Sequence, residues 1–315
     1  MTKPRSTHII VFDASNAAHR ISAATQPLTN SKGERVEVMF GLLRLLSAVL
    51  RQNPARRCYL VWDGKGSRNI RQKIDPQYKA NRGKEFTDED RERIEGMHQQ
   101  VGKFWELFGK NLPITWMSSE RYEADDIISM LTHAADVEQY STLVVSGDKD
   151  LLQLVTPHVS IFSPNSLKYC THDNFQEYTG GYPTPLAFLF GKCLQGDSSD
   201  NVAGVGGIGE KTALKILAEH NWDLQTIRDT PSEGLKKSAV GQRLLSDSGW
   251  ARLALNYKLM SLHAPLHQCV QKSRITLDYG RMNITMLKTH FAKQQFVSLL
   301  AGFQQFINPF NSLEV

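Results

Sequence analysis

Cysteine is scarce in this chain. Cys58, Cys170, Cys193 and Cys269 are the four present, and no two stand as CxxC. That spacing excludes a thiolate zinc ribbon and offers no disulfide framework, so a reducing compartment is expected. The ten histidines show no zinc-ligand spacing. No apolar run approaches the ~20 residues that cross a bilayer. The apolar stretch in the opening MTKPRSTHIIVF is too short for a secretory leader. GxSxG is absent, which removes the nucleophile elbow of serine hydrolases. There is no internal repeat and no low-complexity segment. Charge of one sign is also lacking: 37 Lys and Arg face 32 Asp and Glu, a formal charge of +5. With 41% hydrophobic and 22% charged residues over 315, the composition is that of an ordinary globular protein of one large domain or two smaller ones.

What is present is acid, gathered in blocks. Nine carboxylates fall in five short segments: Asp13 in IIVFDASN, Asp63 in YLVWDGKG, Glu123, Asp125 and Asp126 in YEADD, Asp148 and Asp150 in VVSGDKD, and Asp197 and Asp200 in GDSSDN. Glu120 is a looser tenth. Each block alone has an ordinary reading. An aspartate after a strand can cap the next helix, and Asp63-Gly64 is a turn signal. Taken jointly they are hard to explain as caps, because so many like charges are costly unless compensated. Hard oxygen ligands favour Mg²⁺ or Mn²⁺, so a shared site for two such ions is expected. Two ions a few ångströms apart suit in-line phosphoryl displacement without a covalent nucleophile.

The pattern of elements supports that grouping. Short apolar runs at 8–12, 58–62, 112–117 and 142–146 read as strands, and 36–51, 96–108 and 122–135 read as helices. Alternating strands and helices imply a mostly parallel central sheet flanked by helices, with right-handed crossovers. Sites in such sheets lie beyond the carboxyl ends of the strands, where Asp13, Asp63 and Asp148 fall. Residues 66–95 are polar and interrupt the alternation. From about Pro183 the pattern is mainly helical, with helices at 185–194, 210–219 and 283–303. Gly180-Gly181, Pro183 and Pro185 mark a joint. A division into 1–182 and 183–315 is therefore expected, with the tail after Asn308 loosely tied down.

Two further segments point to phosphate. In NVAGVGGIGEKTA, Gly204, Gly206, Gly207 and Gly209 permit tight turns and close backbone approach. Lys211, Thr212 and Lys215 follow on a helix. The spacing is not that of GxxxxGK[ST]. The second segment holds Arg68, Arg71, Lys73, Lys79, Arg82 and Lys84 against the single acid Asp75, with Tyr78 and Phe86 interleaved. Cations beside aromatic rings suit a single strand, whose phosphates pair and whose bases stack.

Together the segments VFDASN, WDG, DPQYKANR, EADD, VSGDKD and GDSSDNVAGVGGIGEKTA resemble the 5′-nuclease (flap endonuclease) superfamily in its bacterial and bacteriophage branch, over residues 8 to about 220. The resemblance implies a fold in which 66–95 forms a helical arch and 186–220 a helix-three-turn-helix that holds duplex DNA. It implies metal-dependent hydrolysis of DNA phosphodiesters near 5′ flaps, nicks or free 5′ ends, as exonuclease and flap endonuclease, in replication or repair. Asp13, Asp63, Glu123 and Asp125 match ligands of a first ion. Asp125, Asp126, Asp148, Asp150, Asp197 and Asp200 match the set around a second. Lys79 and Arg82 match basic residues at the base of the arch that contact the scissile phosphate. Backbone carbonyls of Leu194, Gln195, Ala203, Val205 and Ile208 match a K⁺ site. A stand-alone monomer in the cytoplasm of a bacterial cell or phage-infected host is implied, away from membranes and with a replicative polymerase as candidate partner. An RNA–DNA hybrid stays open as a substrate. So do two rival readings, a non-catalytic junction binder and a PIN-like ribonuclease.

Overall fold

The computed structural model describes residues 7–82, 86–263 and 274–314. Nine strands are defined among them: β1 (Ile9–Asp13), β2 (Arg57–Asp63), β3 (Thr115–Ser119), β4 (Thr142–Val145), β5 (Val159–Ser163), β6 (Lys168–Cys170), β7 (Gly196–Asp197), β8 (Val202–Ala203) and β9 (Thr276–Tyr279). Seven of them form one sheet in the order β6-β5-β4-β1-β2-β3-β9. The five central strands are parallel and the two edges antiparallel.

Both faces of the sheet are covered, which is why its central strands read as continuous apolar runs. Val11, Val61, Met117, Val144 and Ile161 point to one side. They pack on helix α5 (Ala124–Val137) and on a helical region containing α7 (Pro185–Gln195) and α8 (Glu210–Glu219). Their neighbours Ile10, Phe12, Leu60, Trp62, Leu143 and Val145 point to the other. There they meet α1 (Ala14–Ala24), α2 (Glu37–Gln52), α4 (Asp88–Leu107) and an aromatic cluster of Phe291, Phe296, Phe303, Phe306 and Phe310. α3 (Asn69–Ile74) and α6 (Phe175–Tyr178) are short connectors.

The expected parallel sheet and flanking helices are present, with local differences that have physical causes. β3 begins at Thr115 rather than 112, because Pro113 has no N–H to give the ladder. α4 begins at Asp88, not 96. Thr87 and Asp90 form a reciprocal capping box there, and the first turns are solvent-facing and so carry no apolar period. The segment 66–95 thus holds α3, a run of turns and the start of α4; Lys84 and Glu85 lie outside the described residues, as does Cys269. The helix expected over 283–303 is broken, with Gln295 at φ +60° between the helices Ile284–Lys293 and Val297–Ala301. The edge strands β6 and β9 and the strand β5 were not anticipated; the two edges are three and four residues long, too short for a period. The tail is not loose: Phe310 is fully buried, and the Glu314 N–H donates to the Arg56 carbonyl. At the joint, Gly180 and Gly181 adopt φ of +71° and +135°.

Candidate active site

Four parallel strands deliver carboxylates to one edge. β1 ends in Asp13, β2 in Asp63, β3 leads through four residues to α5 and the acids at its start, and β4 runs into Ser146-Gly147-Asp148. Asp13 is almost wholly buried and tied twice: Oδ1 accepts the Asn16 N–H at 3.0 Å, capping α1, and Oδ2 accepts the Ser146 hydroxyl at 2.8 Å. The same hydroxyl oxygen accepts the Asp148 N–H at 2.9 Å, so β1 and β4 are pinned together at the site. Asp63 Oδ1 accepts the Ala124 N–H at 2.8 Å, which seats the start of α5 against β2.

The nine acids divide into two groups. Asp13, Asp63, Asp125 and Asp148 feel one another's charge, and among the described residues none of them makes an ion pair. Burial pushes the Asp13 carboxyl up to about 7, against the pull of its two hydrogen bonds and with the charges of Asp63 and Asp148 adding to the rise. Asp125 is raised well above the carboxylate range, by burial first and then by Asp148 and Asp13.

The other five are held by protein cations. Arg71 on α3 is buried and donates four ways: Nη1 to Glu123 Oε2 at 2.7 Å and to Asp126 Oδ2 at 2.9 Å, Nη2 to Asp126 Oδ1 at 2.8 Å, and Nε to the Leu259 carbonyl at 2.9 Å. Lys79 Nζ lies 2.5 Å from Glu123 Oε1 and 3.5 Å from Asp200 Oδ2. Arg82 Nη2 reaches Asp200 Oδ1 at 2.7 Å. Lys192 on α7 bridges Asp150 Oδ1 at 3.0 Å and Asp197 Oδ2 at 2.6 Å. Asp197 is thereby held down to about 2: burial raises it, but Lys192 and Ser199 outweigh that. Asp150 is pushed by burial to about 6 despite Lys192, with the charge of Asp148 adding to the rise.

These contacts correct several expectations. Arg71 was expected at the DNA strand; it is 4% exposed and fully committed to Glu123 and Asp126, so it is an internal counter-charge. Tyr78 was expected to stack on a base. It too is 4% exposed, its hydroxyl 3.0 Å from Glu123 Oε2 and 3.1 Å from Asp200 Oδ2, donating to one at a time. Asp126 was expected as a metal ligand. Both its oxygens are taken by Arg71, and Oδ2 also accepts the Glu123 N–H in the capping box that starts α5. Arg68 and Lys73 are exposed as expected, and Arg82 remains 41% exposed at its side chain.

A cavity of about 20 Å³, one water in size, is lined by Asp125, Asp150, Asp197 and Asp200 together with Arg71 and Tyr78. The acids from the two halves of the chain therefore do converge. Among the described residues, no three His, Cys, Asp or Glu side chains are already arranged to hold a metal ion. The donor chemistry nonetheless fits a hard divalent cation, since the cluster is built of carboxylate oxygens and two of its members are raised by mutual repulsion and burial.

The glycine segment joins α7 to α8 through the β7–β8 hairpin. The Val205 N–H donates to the Leu194 carbonyl at 2.9 Å, the Ile208 N–H to the Val205 carbonyl at 3.1 Å, and Gly196 pairs with Ala203. Leu194, Gln195, Ala203, Val205 and Ile208 thus lie in one cluster of turns. Two glycines are required there. A Cβ on Gly204 would stand 2.0 Å from the Gln195 carbonyl oxygen, and Gly207 has φ of +82°. Gly206 and Gly209 face no such limit. Lys211 and Lys215 are exposed and Thr212 half-buried on the first turns of α8.

Three residues of this region escaped the sequence reading. Lys192 stands five residues before Asp197 in GKCLQGD, a spacing that could have suggested a counter-ion. Asn256 donates to the Cys193 and Ala203 carbonyls at 2.8 and 2.9 Å, and Arg243 Nε donates to the Gly206 carbonyl at 2.8 Å. Both come from helices far along the chain and had no local signal.

Comparison with known proteins agrees with this architecture. Residues 8–180 match the family model of the 5′-3′ exonuclease N-terminal resolvase-like domain, and residues 184–279 that of the 5′-3′ exonuclease C-terminal SAM fold. The thermostable DNA polymerase I of Thermus thermophilus is 32% identical over 94% of this chain and 33% of its own length. The chain thus spans about a third of that relative. A 5′-3′ exonuclease of Aquifex aeolicus is 28% identical over 93% of both chains. Among solved structures, bacteriophage T5 5′-exonuclease with bound zinc ions superposes with a TM-score of 0.67 at 22% identity, covering 96% of this chain and 99% of that one. The catalytic core of Rad2 in complex with DNA substrate superposes with a TM-score of 0.58 at 14% identity, covering 97% and 92%. The two family models meet at the joint after Gly181 and between them cover most of the described fold: the chain belongs to the 5′-3′ exonuclease family.

Proposed function

We propose that this protein is a structure-specific 5′-nuclease that hydrolyses DNA phosphodiesters as a 5′→3′ exonuclease and flap endonuclease, in replication or repair. The observation that carries the reading is the quartet Asp13, Asp63, Asp125 and Asp148, gathered at one sheet edge without an ion pair among the described residues, with Asp13 buried beneath it and Asp150, Asp197 and Asp200 adjoining. Asp13, Asp63, Asp125 and Asp148 would hold one Mg²⁺ or Mn²⁺, joined by Glu123 Oε1 once Lys79 leaves it, and Asp125, Asp150, Asp197 and Asp200 would hold a second. Bound ions would stabilise the attacking and leaving oxygens of an in-line displacement. Lys79 and Arg82, which rest on Glu123 and Asp200, would leave them for a phosphate placed on the quartet and orient it. K⁺ at the Leu194–Ile208 turns and the exposed backbone of Gly206–Gly209 would seat the duplex without reading bases. We divide the chain for this purpose at about residue 182, nuclease core before and duplex-holding region after. Its place is the cytoplasm of a bacterial cell or phage-infected host, as a monomer. Among the described residues, no helix is long and apolar enough to cross a membrane.

The test is cleavage of a 5′-end-labelled flap duplex with and without Mg²⁺, beside Asp148→Asn. Metal-dependent products near the flap junction, absent in the variant, are expected. Tight binding without cleavage in either Mg²⁺ or Mn²⁺ would overturn the reading in favour of a junction binder. Relatives with this family's fold are described with DNA substrate or with metal ions bound, which supports the choice of substrate.

A further inference from the structure

We infer that Arg243, on the helix Ala239–Leu245, is a duplex-phosphate contact that completes the glycine turn from outside it. The inference rests on the nuclease reading above. It starts from one hydrogen bond: Arg243 Nε donates to the Gly206 carbonyl at 2.8 Å. The guanidinium lies along the turn, with Nη2 2.7 Å from the point where a Cβ would stand on Gly207. A Cβ at 207 would have to push that end of the guanidinium aside. The tether uses one of five N–H donors. Arg243 is exposed, and among the described residues neither Nη makes an ion pair or side-chain hydrogen bond. The fork is thus fixed in position with donors to spare, beside exposed Gly206 and Gly207.

That is the arrangement a phosphate oxygen recognises. An arginine presents paired donors to a phosphate, and one already held loses less freedom on binding than a mobile lysine. The other basic residues here are of the mobile kind: Lys211 is exposed, and the Lys215 side chain is 75% exposed with only a 3.8 Å pairing to Glu219. Arg243 differs also from Arg71 and Lys192, whose donors are consumed by carboxylates. The ligand is the sugar–phosphate backbone of duplex DNA. The contact is to phosphate and not to a base edge, so it carries no sequence preference.

The experiment is a fluorescence-anisotropy titration in EDTA of a flapped duplex and of a free single strand. Wild type, Arg243→Ala, Arg243→Gln and Arg243→Lys are compared between about 50 and 200 mM salt. Arg243→Ala and Arg243→Gln should each bind the flapped duplex roughly tenfold more weakly at the lowest salt, with the slope of log K against log salt shallower by about 0.9, one phosphate contact. Arg243→Lys should keep most of the slope, and single-strand affinity should not change in any variant. Glutamine can still donate to the Gly206 carbonyl. If Arg243→Gln behaves as wild type while Arg243→Ala is weak, the side chain only holds the turn and the inference fails. Wild-type slope and affinity in Arg243→Ala also sink it. A wild-type protein that neither binds nor cleaves the duplex would instead overturn the nuclease reading itself.

Discussion

Replacing Asp13 with asparagine should stabilise this protein while disabling it. The Asp13 carboxyl is pushed up to about 7, from an ordinary value of 3.8, mainly by burial. A carboxyl raised in the folded state costs stability once it must ionise. The cost is absent below pH ~4, grows through the window between the unfolded and folded values, and is complete above pH ~7. A carboxyl moved from 3.8 to about 7 corresponds to ~4 kcal/mol between its two protonation states. The charge is shared with Asp63, Asp125 and Asp148, so relief by one substitution should be about half of that, ~2 kcal/mol. Asparagine keeps an oxygen for the Asn16 N–H and an amide that can meet the Ser146 hydroxyl, so the hydrogen-bond loss should stay under ~1 kcal/mol.

Urea unfolding followed by circular dichroism, in EDTA, at several pH values from 4 to 8, reads this directly. At pH 8 Asp13→Asn should unfold later than wild type, and the gap should close as the pH falls to 4. Millimolar Mg²⁺ should then raise the wild-type midpoint and shift the variant less, since binding to the folded state stabilises by mass action. A variant less stable than wild type at pH 8, or a gap that does not shrink with acid, would refute the argument that the acid cluster carries unrelieved charge.

Other consequences are shorter to state. Arg71→Met should destabilise the fold by about 3–5 kcal/mol, because it leaves Glu123 and Asp126 buried without a counter-charge; thermal melting at pH 7 measures it, and a loss under ~1 kcal/mol would return Arg71 to the surface role expected from the sequence. Asp148→Asn should abolish cleavage and leave duplex affinity within a few-fold of wild type, by gel shift beside activity. Gly204→Ala should cost duplex binding and stability together, since its Cβ would stand 2.0 Å from the Gln195 carbonyl oxygen. Gly209→Ala meets nothing within 4 Å and should leave thermal stability unchanged, so any loss of duplex affinity there would report the approach of DNA.

The parallel sheet and the gathering of acids at its carboxyl edge were legible because both are written in local order: apolar runs ending in Asp13 and Asp63, and the run before Asp148, each need only a few consecutive residues. What was not legible is which acid meets which base. Arg71 reads in sequence as one of six cations in a solvent-facing stretch. Its burial follows from α3 packing beside Leu259, from the far end of the chain, whose carbonyl takes its Nε. The same distance hid Asn256 and Arg243. The YEADD block shows the limit most clearly. Its spacing puts Glu123 and Asp126 on one helix face with Asp125 beside them, yet all three read as ligands until the helix start sorts them. Glu123 and Asp126 are three apart and share the capping box and Arg71, while Asp125 between them is turned to the quartet. A capping signature and a ligand signature are the same letters, and only the neighbouring cation separates them. The five other acids already meet a cation of the chain itself, whereas the quartet makes no such ion pair among the described residues and is where an added cation gains most. The division of the nine carboxylates by their partners therefore locates the chemistry more sharply than their number does.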